Sequence, residues 1–248
     1  MKHGAGLAQV AYDLDLCVMT RKPELIAHRG ANREAPENSL RAFVMAIDAG
    51  ADGMELDIQL TADGVPVVNH DAALPRSPSG GRGERISTLT LARLQQRAEM
   101  ATLDDVLALV HGRTRLYVEI KAPAAVDAVV SRLAGREAWC AVHSFDHRVS
   151  LRVRELNPVL ETGILVVGRL VDPVAALLAA RARDYWQHSD FVDRALVRDV
   201  QAAGGRLIAW TVNDPTVCGV FNAMGVDGIC TDATRELAPV MKRTQAEE

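Results

Sequence analysis

The feature that most constrains the fold is the alternation of short apolar runs with segments of helical periodicity. Strands that alternate with helices favour parallel pairing and repeated βα units. The apolar runs of strand length are Leu25–Ala27, Gly53–Ile58, Val65–Val68, Leu116–Ile120, Cys140–Ser144, Gly163–Val167, Arg206–Val212 and Gly228–Cys230. A further candidate strand, Asp184–Gln187, is more polar.

Several of the intervening segments carry signals for both ends of a helix. "TLDDVLALVHG" begins with Thr102 as N-cap, has acidic residues in its first turn and closes on Gly112. "NSLRAFVMAIDAG" has apolar residues at helical spacing, can be capped by Asn38 or Ser39, and ends at Gly50. "DRALVRDVQAAGG" has the same pattern, so each segment predicts a helix that precedes a strand.

A short repeat indicates how these units assemble. "GADGMELD" at 50–57 and "GVDGICTD" at 225–232 share the frame G-x-D-G, an apolar residue, two variable positions and Asp. Two copies of one helix-to-strand entry suit a closed barrel of repeated units. We therefore predict an α/β fold, a (β/α)8 TIM barrel of the size usual for a single domain. Its predicted bounds are 23–241, between an N-terminal extension at 1–22 and a tail at 242–248.

One interval is too long for a simple crossover helix. The chain between Ile58 and Arg115 contains an apolar strand at Val65–Asn69 and the Gly/Ser/Arg-rich stretch Arg76–Arg85. We predict a small inserted subdomain here, at about 59–114, between the second and third barrel strands.

Composition and charge narrow the class of partners. The 248-residue chain is 48% hydrophobic and 24% charged, as globular enzymes are, and its net charge of −4 implies no broad attraction to nucleic acid. Four scattered cysteines without a C-x-x-C pair indicate reduced thiols and a cytoplasmic protein. Since no apolar run approaches ~20 residues, we expect no membrane anchor. We expect a small-molecule substrate, and either a monomer or a homodimer is compatible with the sequence.

Charged side chains occur where the predicted barrel strands end, which is where barrel enzymes place catalytic groups. His28 ends the first strand, Glu55 and Asp57 share one face of the second, and Glu119 and Lys121 share one face of the third. Neighbouring carboxylates repel one another unless a cation lies between them, and their hard oxygen atoms suit Mg²⁺ or Ca²⁺. A structural ion pair at the barrel mouth is the alternative.

A second histidine, His70, follows the inserted strand. Two imidazoles beside a metal and a cationic side chain can act as general acid and base on a phosphate ester. For His143, at the end of the fourth barrel strand, the sequence favours a structural role. Asp52, Asp227 and Asp232 are interpreted as turn and cap residues.

The chain resembles the glycerophosphodiester phosphodiesterase family from about Leu25 to Asp232. The stretches that carry the resemblance are, in order, "AHRGANREAPENSLRAF", "GADGMELDIQLTADGVPVVNHD", "LYVEIK", "VHSFD", "AWTVND" and "GVDGICTD". The resemblance implies a TIM barrel with an insertion after the second strand. The loop "HDAALPRSPSGG" departs from the family pattern after the second histidine, which leaves its contacts open.

The resemblance also implies roles for particular residues. His28 and His70 match catalytic histidines; Glu55, Asp57 and Glu119 match metal-binding carboxylates; Arg29 and Lys121 match phosphate-binding positions; and Asn38 and Trp210 match residues that shape the pocket. It implies hydrolysis of glycerophosphodiesters to sn-glycerol 3-phosphate and an alcohol, with one divalent cation, Mg²⁺ or Ca²⁺.

Several alternatives stay open from the sequence. A lysophospholipase D would act on lipid-tailed diesters, a sugar-phosphate isomerase or lyase would need no metal, and a non-catalytic barrel would only bind. The sequence also leaves open which histidine is the acid and which is the base, and which alcohol is released. The nucleophile can be either water or a hydroxyl group of the substrate.

Overall fold

The computed structural model describes residues 22–75 and 83–243 of the chain. Most of the predicted N-terminal extension, residues 76–82 of the predicted loop and the end of the predicted tail lie outside these ranges.

Eight parallel strands form a closed barrel, which confirms the predicted fold class. In chain order the strands of the sheet are β1 (Glu24–Ala27), β2 (Gly53–Leu60), β3 (Pro66–Val68), β4 (Arg115–Ile120), β5 (Cys140–Ser144), β6 (Glu161–Val166), β7 (Asp184–His188), β8 (Arg206–Trp210) and β9 (Gly228–Thr231). The barrel closes because β1 pairs in parallel with both β2 and β9. The exception is β3, which runs antiparallel to β2.

The helices surround the barrel and connect successive strands. They are α1 (Leu40–Asp48), α2 (Leu91–Gln95), α3 (Leu103–Val110), α4 (Val126–Leu133), α5 (His147–Leu156), α6 (Pro173–Ala179), α7 (Arg194–Ala202), α8 (Pro215–Met224) and α9 (Thr234–Arg243). Thr102 is the N-cap of α3, as the sequence predicts, and the structure shows that it forms a reciprocal capping box with Asp105. Within residues 22–75 and 83–243, none of the helices has the length and apolar character needed to span a membrane.

The segment between β2 and β4 has a small apolar core of its own. After β3, the chain passes through α2 and α3 before it returns to the barrel at β4. The core is formed by Val67, Ile86, Leu89, Leu94 and Met100, all buried. The inserted segment therefore extends the barrel sheet at β2 and packs beside it.

The repeated acids at the two helix-to-strand entries act alike at the turn. The Asp52 carboxylate accepts a hydrogen bond from the Leu25 amide at 2.9 Å, and the Asp227 carboxylate accepts one from the Leu207 amide at 2.8 Å. Each aspartate thus fastens its turn to the neighbouring strand. This is the turn role that the sequence predicts for Asp52 and Asp227.

Strand register brings acids from neighbouring strands to one level of the barrel. Asp57 on β2 lies opposite Glu119 on β4, and Glu119 lies opposite His143 on β5. Residues opposite one another in adjacent strands point to the same face of a sheet. The side chains of Asp57, Glu119 and His143 therefore all enter the barrel near its carboxyl end.

Gly30 is required both because its backbone is left-handed and because there is no room for a side chain. Gly30 has a φ of +79°, and a Cβ added there would lie 2.7 Å from the carbonyl carbon of Ala42 in α1. We expect Gly30→Ala to lower the free energy of unfolding by about 1–3 kcal/mol for the clash, in addition to roughly 1–2 kcal/mol for the left-handed backbone. Urea unfolding measures the loss.

Gly64→Ala is the matched control for this prediction. Gly64 has a φ of +77°, but a Cβ there would meet no atom within 4 Å. Only the backbone cost of roughly 1–2 kcal/mol should then be lost. Equal losses in the two variants would contradict the close packing assigned to Gly30.

Candidate active site

A cavity of about 170 Å³ lies at the carboxyl ends of the barrel strands and collects most of the residues singled out in the sequence. Those in its wall are His28, Arg29, Glu55, His70, Glu119, Lys121 and Trp210. Asp57 is fully buried and reaches the cavity through ion pairs with Arg29 and Lys121. Asn38 lines a separate depression and donates a hydrogen bond to Asp57.

Two buried carboxylates in the cavity wall lack sufficient compensating charge. Burial raises the pKa of Glu55 well above its usual range, and the charges of Asp57 and Glu119 raise it further. Burial and the Asp57 charge also raise the pKa of Glu119, to about 7. Both shifts arise because removing water and gathering like charges disfavour the ionised form.

Asp57 has the opposite electrostatic environment. The Arg29 Nε atom lies 3.0 Å from Asp57 Oδ2, the Lys121 Nζ atom lies 3.3 Å from Oδ1, and Asn38 donates a hydrogen bond at 2.8 Å. Burial alone would raise the pKa of Asp57, but these two cations lower it. Asp57 therefore stays ionised and positions both cations beside the cavity.

The sequence leaves open whether Asn38 or Ser39 caps α1. In the structure Ser39 caps the helix and Asn38 contacts the site. Ser39 is the N-cap of α1 and accepts a hydrogen bond from the Ala42 amide. Asn38 has a φ of 58°, a left-handed conformation that asparagine tolerates better than most residues. This conformation directs its amide to Asp57 rather than to the helix end.

The His28 ring is oriented by Asp232, at the end of the last barrel strand. His28 Nδ1 lies 2.7 Å from Asp232 Oδ1, and His28 Nε2 lies 3.9 Å from Glu55 Oε2. Although burial alone would raise the pKa of Asp232, hydrogen bonds from His28, Asn32 and Asn213 lower it. An ionised Asp232 keeps the proton on Nδ1 and leaves the Nε2 lone pair available.

The sequence analysis interprets Asp232 as a turn or cap residue; in the structure its carboxylate instead contacts the side chains of His28, Asn32 and Asn213. In the repeated frame, Asp232 occupies the position of Asp57, so both final acids come to the carboxyl rim of the barrel. That correspondence was the available sequence signal. It was missed because Asp52 and Asp227, which share the frame, are turn residues.

Replacing Asp232 should impair catalysis through the orientation of His28. We expect Asp232→Asn to lower kcat by ~10- to 100-fold, the effect that loss of an orienting carboxylate has at metal-bound histidines. Steady-state kinetics measures the change. Asp227→Asn, at the turn that precedes the same strand and away from the cavity, is the control. Equal kcat values for the two variants would contradict the role given to Asp232.

His70 approaches the cavity from the loop that follows β3. Its Nδ1 atom lies 2.9 Å from Asp71 Oδ1, and its carbonyl oxygen accepts a hydrogen bond from Gln59 on β2 at 3.0 Å. Like His28, it has an aspartate within hydrogen-bonding distance of Nδ1. The two histidines named from the sequence thus line one cavity.

His143 also lines the cavity, although the sequence favours a structural role for it. Its side chain is 1% exposed, its ring stacks on Trp186 with centroids 4.3 Å apart, and its Nε2 atom lies 3.9 Å from Glu55 Oε1. Burial lowers the pKa of His143 to about 3, so the ring is neutral.

The residues around the cavity fit a divalent cation. Glu55, Glu119 and His143 each offer a donor atom, and these atoms lie within 4.8 Å of one another. Glu55 Oε1 is buried and has no hydrogen-bond partner among the described residues. A cation would offset the repulsion that raises the pKa of both glutamates.

Aromatic side chains form one side of the cavity mouth. Trp210 contacts Phe145 edge to face at 5.5 Å between ring centroids and contacts His188 in the same way at 5.2 Å. Lys121 Nζ lies 5.6 Å from the centre of the Phe145 ring. An apolar wall therefore stands next to the cationic part of the site.

The chemistry of this cavity suits an anionic ester. Cationic side chains can bind a phosphate, two imidazoles can transfer protons, and the cavity occupies the end of the barrel at which such enzymes hold their substrates. Fold and site together define a TIM-barrel enzyme that acts on phosphate esters.

Comparison with known proteins identifies the family. The model of the glycerophosphoryl diester phosphodiesterase family matches residues 28–236. A glycerophosphodiester phosphodiesterase of Caldanaerobacter subterraneus subsp. tengcongensis is 30% identical over 242 residues, which cover 90% of this chain and 99% of that protein. The chain belongs to the glycerophosphoryl diester phosphodiesterase family, as its sequence motifs indicate, and is therefore an enzyme of the phosphoric diester hydrolase class.

Solved structures show the same architecture. A glycerophosphodiester phosphodiesterase from Thermotoga maritima is 26% identical with a TM-score of 0.78, covering 89% of this chain and 99% of that one. An Oleispira antarctica phosphodiesterase, in complex with the product sn-glycerol-3-phosphate, is 25% identical with a TM-score of 0.80, covering 89% and 97%.

Proposed function

We propose that this enzyme hydrolyses glycerophosphodiesters to sn-glycerol 3-phosphate and an alcohol, using one divalent cation and acid–base catalysis by His28 and His70. The observation that carries the proposal is a single cavity lined by both imidazoles, by Glu55 and Glu119, and by two cationic side chains. The product bound to the Oleispira antarctica phosphodiesterase supports the same substrate class.

The charges around the cavity support a divalent cation. The carboxylates of Glu55, Asp57 and Glu119 outnumber the cations of Arg29 and Lys121 by one, and a phosphodiester brings one further negative charge. A doubly charged ion offsets both. Without it, the raised pKa values of Glu55 and Glu119 favour protonation of these carboxyls, so the ion would stabilise the ionised site that this charge count describes.

We propose Glu55, Asp57 and Glu119 as the residues that hold this ion, and Mg²⁺ or Ca²⁺ as the ion that carboxylate oxygens would favour. When bound, it would polarise the phosphate and stabilise the negative charge that develops during hydrolysis.

The protein's own cations would complete the binding of the phosphate. Lys121 Nζ lies 2.8 Å from Glu119 Oε1, and the Arg29 amide donates a hydrogen bond to Glu55 Oε2 at 3.1 Å. Arg29 and Lys121 are thus held against the metal-binding acids. From there, their charges can offset those of the non-bridging phosphate oxygens in the transition state. Asn38 would act indirectly by fixing Asp57, and Trp210 would border the bound substrate.

The two histidines would share the proton transfers. One imidazole removes a proton from the nucleophile, and the other donates a proton to the departing alkoxide. The Asp232–His28 and Asp71–His70 contacts each hold Nδ1 and leave Nε2 for the reaction. This arrangement matches the requirement for one base and one acid at a single phosphorus centre.

A panel of glycerophosphodiesters tests the proposal. Glycerophosphocholine, glycerophosphoethanolamine and glycerophosphoglycerol would be incubated with the enzyme, and released sn-glycerol 3-phosphate would be measured with added Mg²⁺, Ca²⁺ or EDTA. We expect release that depends on the cation. Turnover of a sugar phosphate in EDTA, without hydrolysis of any diester, would instead support a metal-independent isomerase or lyase.

A second candidate, lysophospholipase D activity, is favoured by the apolar side of the mouth. Phe145, Val167 and Phe191 follow β5, β6 and β7 and are 44%, 52% and 42% exposed. We expect any activity on lysophosphatidylcholine to fall in Phe145→Ser relative to activity on glycerophosphocholine, because only the former substrate has an acyl chain to bury. An unchanged ratio of the two kcat/KM values would contradict this candidate.

A further inference from the structure

His143 occupies a position from which it can reach the ion proposed for this site. On β5 it lies opposite Glu119 of β4, so its ring enters the barrel at the level of that carboxylate. Its side chain is 1% exposed. The ring is therefore part of the cavity floor, not of the solvent-exposed rim.

No hydrogen bond within the described residues accounts for the burial of the two ring nitrogens of His143. Neither Nδ1 nor Nε2 has a hydrogen-bond partner within residues 22–75 and 83–243. Buried imidazole nitrogens are ordinarily satisfied by protein or by water. The nearest acidic atom is Glu55 Oε1, at 3.9 Å from Nε2, which is itself buried and without a hydrogen-bond partner in the same ranges.

The separation of these two atoms is that of two ligands of one ion. Metal–nitrogen and metal–oxygen bonds of this kind are about 2.0–2.2 Å long. Two such ligands lie roughly 3.0 Å apart at a right angle and roughly 4.2 Å apart when opposite one another. The 3.9 Å between His143 Nε2 and Glu55 Oε1 falls inside that range. A Glu119 oxygen lies within 4.8 Å of the donor atoms of both residues and would move closer when the ion binds.

The neighbouring residues hold the ring in this orientation. His143 stacks on Trp186 at an interplanar angle of 22°, and Trp186 packs edge to face on Tyr117 at 5.1 Å. Gly163, opposite His143 on β6, leaves room for the indole, because a Cβ there would lie 2.9 Å from Trp186 Nε1. Residues from three other barrel strands thus orient the imidazole before any ion binds.

We infer that His143 is a nitrogen ligand of the ion that Glu55 and Glu119 bind, and that it shifts the site toward Mn²⁺ and Zn²⁺. The inference rests on the proposed function, which places a divalent cation between these glutamates. Imidazole suits Zn²⁺, and Mn²⁺, although it also binds carboxylate oxygen, accepts a nitrogen ligand more readily than Mg²⁺ and Ca²⁺ do. The site would therefore bind Mn²⁺ and Zn²⁺ more tightly than carboxylates alone would.

Pulsed electron paramagnetic resonance with Mn²⁺ tests this inference without measuring activity. The full chain, freed of metal by a chelator, would be loaded with one equivalent of Mn²⁺. We expect the nuclear coupling of a directly bound imidazole nitrogen in the wild type, and we expect it to change when histidine is labelled with ¹⁵N. The coupling should disappear in His143→Ala and in His143→Gln.

Three control variants identify the source of the coupling. It should persist in His28→Ala and His70→Ala, which remove the other imidazoles of the cavity, and in His111→Asn, which alters an exposed histidine at the end of α3. Coupling that vanished in His28→Ala or His70→Ala but survived in His143→Gln would overturn the inference.

A second readout is the preference among ions. We expect the ratio of Mn²⁺ to Mg²⁺ affinity, measured by isothermal titration calorimetry, to fall at least ~10-fold in His143→Gln. Should both His143 variants fail to fold, the ¹⁵N-labelled wild type and the His28 and His70 variants decide the question alone.

The outcomes separate this inference from the proposed function. Mn²⁺ that binds tightly, is lost in Glu55→Gln and shows no nitrogen coupling would overturn the role of His143 and leave the proposed function standing. A wild type that binds no Mn²⁺, Mg²⁺ or Ca²⁺ would remove the proposed metal site, and the inference with it.

Discussion

His28→Ala and His70→Ala are each expected to lower kcat by at least ~10², the lower range for loss of a general acid or base. Both rings line the cavity, and each has an aspartate on Nδ1. Alanine removes the proton transfer but leaves the carboxylates and cations that would bind the substrate. The loss should therefore fall on kcat more than on KM.

The two histidine variants should also act as a unit. The double variant should lose little more activity than the worse single variant, because an acid without its base, or a base without its acid, already stalls the reaction. His111→Asn is the matched control, and circular dichroism should show the same fold in all variants. Near-normal turnover by either single variant would refute the assignment.

Removal of the divalent cation is expected to lower the rate at least ~10³-fold, because a bound ion contributes several kcal/mol to stabilising transition-state charge. Treatment with EDTA followed by gel filtration should abolish release of sn-glycerol 3-phosphate. Added divalent cation should restore it. Full activity after chelation, with no metal found by mass spectrometry, would contradict the proposed chemistry.

Binding of the cation should also change the thermal stability of the protein, which can be measured without turnover. The charges of Glu55, Asp57 and Glu119 repel one another inside the barrel, and this repulsion contributes to the raised pKa of both glutamates. We expect cation to raise the Tm of the wild type. Glu55→Gln should unfold at the same or a higher temperature without cation and should gain nothing from it. Glu236→Gln, at an exposed ion pair with Arg33, is the control and should respond as the wild type does.

Local sequence patterns were sufficient to predict most of the barrel. The predicted bounds of β5 are those observed, and the capping signals place the start and end of α3 correctly. The strand predicted at Asp184–Gln187, which the structure extends to His188, is more polar than the other predicted strands. In the barrel, Trp186 packs in the interior and the Gln187 side chain bonds to the carbonyl groups of Val166 and Val167.

Many contacts of the site join residues that are far apart in the sequence, so local sequence patterns do not predict them. The spacing of Glu55 and Asp57 on β2 places them on one face, but it does not reveal that Asp57 pairs with cations while Glu55 remains uncompensated. The contact between His28 and Asp232 joins residues 204 positions apart and exists because β9 closes the barrel onto β1.

The same limit applies to His143. Its sequence context is an apolar strand, in which a histidine is more often a buried structural residue than a ligand. Only the pairing of β5 with β4 shows that its ring lies beside Glu119, and only the side-chain packing shows that Glu55 faces it.

The most direct test of the metal-centred account is X-ray diffraction from crystals soaked in Mn²⁺, with data collected to reveal anomalous scattering. We predict one strong anomalous peak in the cavity between His28 and His70, within coordination distance of Glu55 and Glu119. Chelator-sensitive hydrolysis in a protein whose crystals show no peak at that position, or show the ion bound elsewhere, would contradict the account.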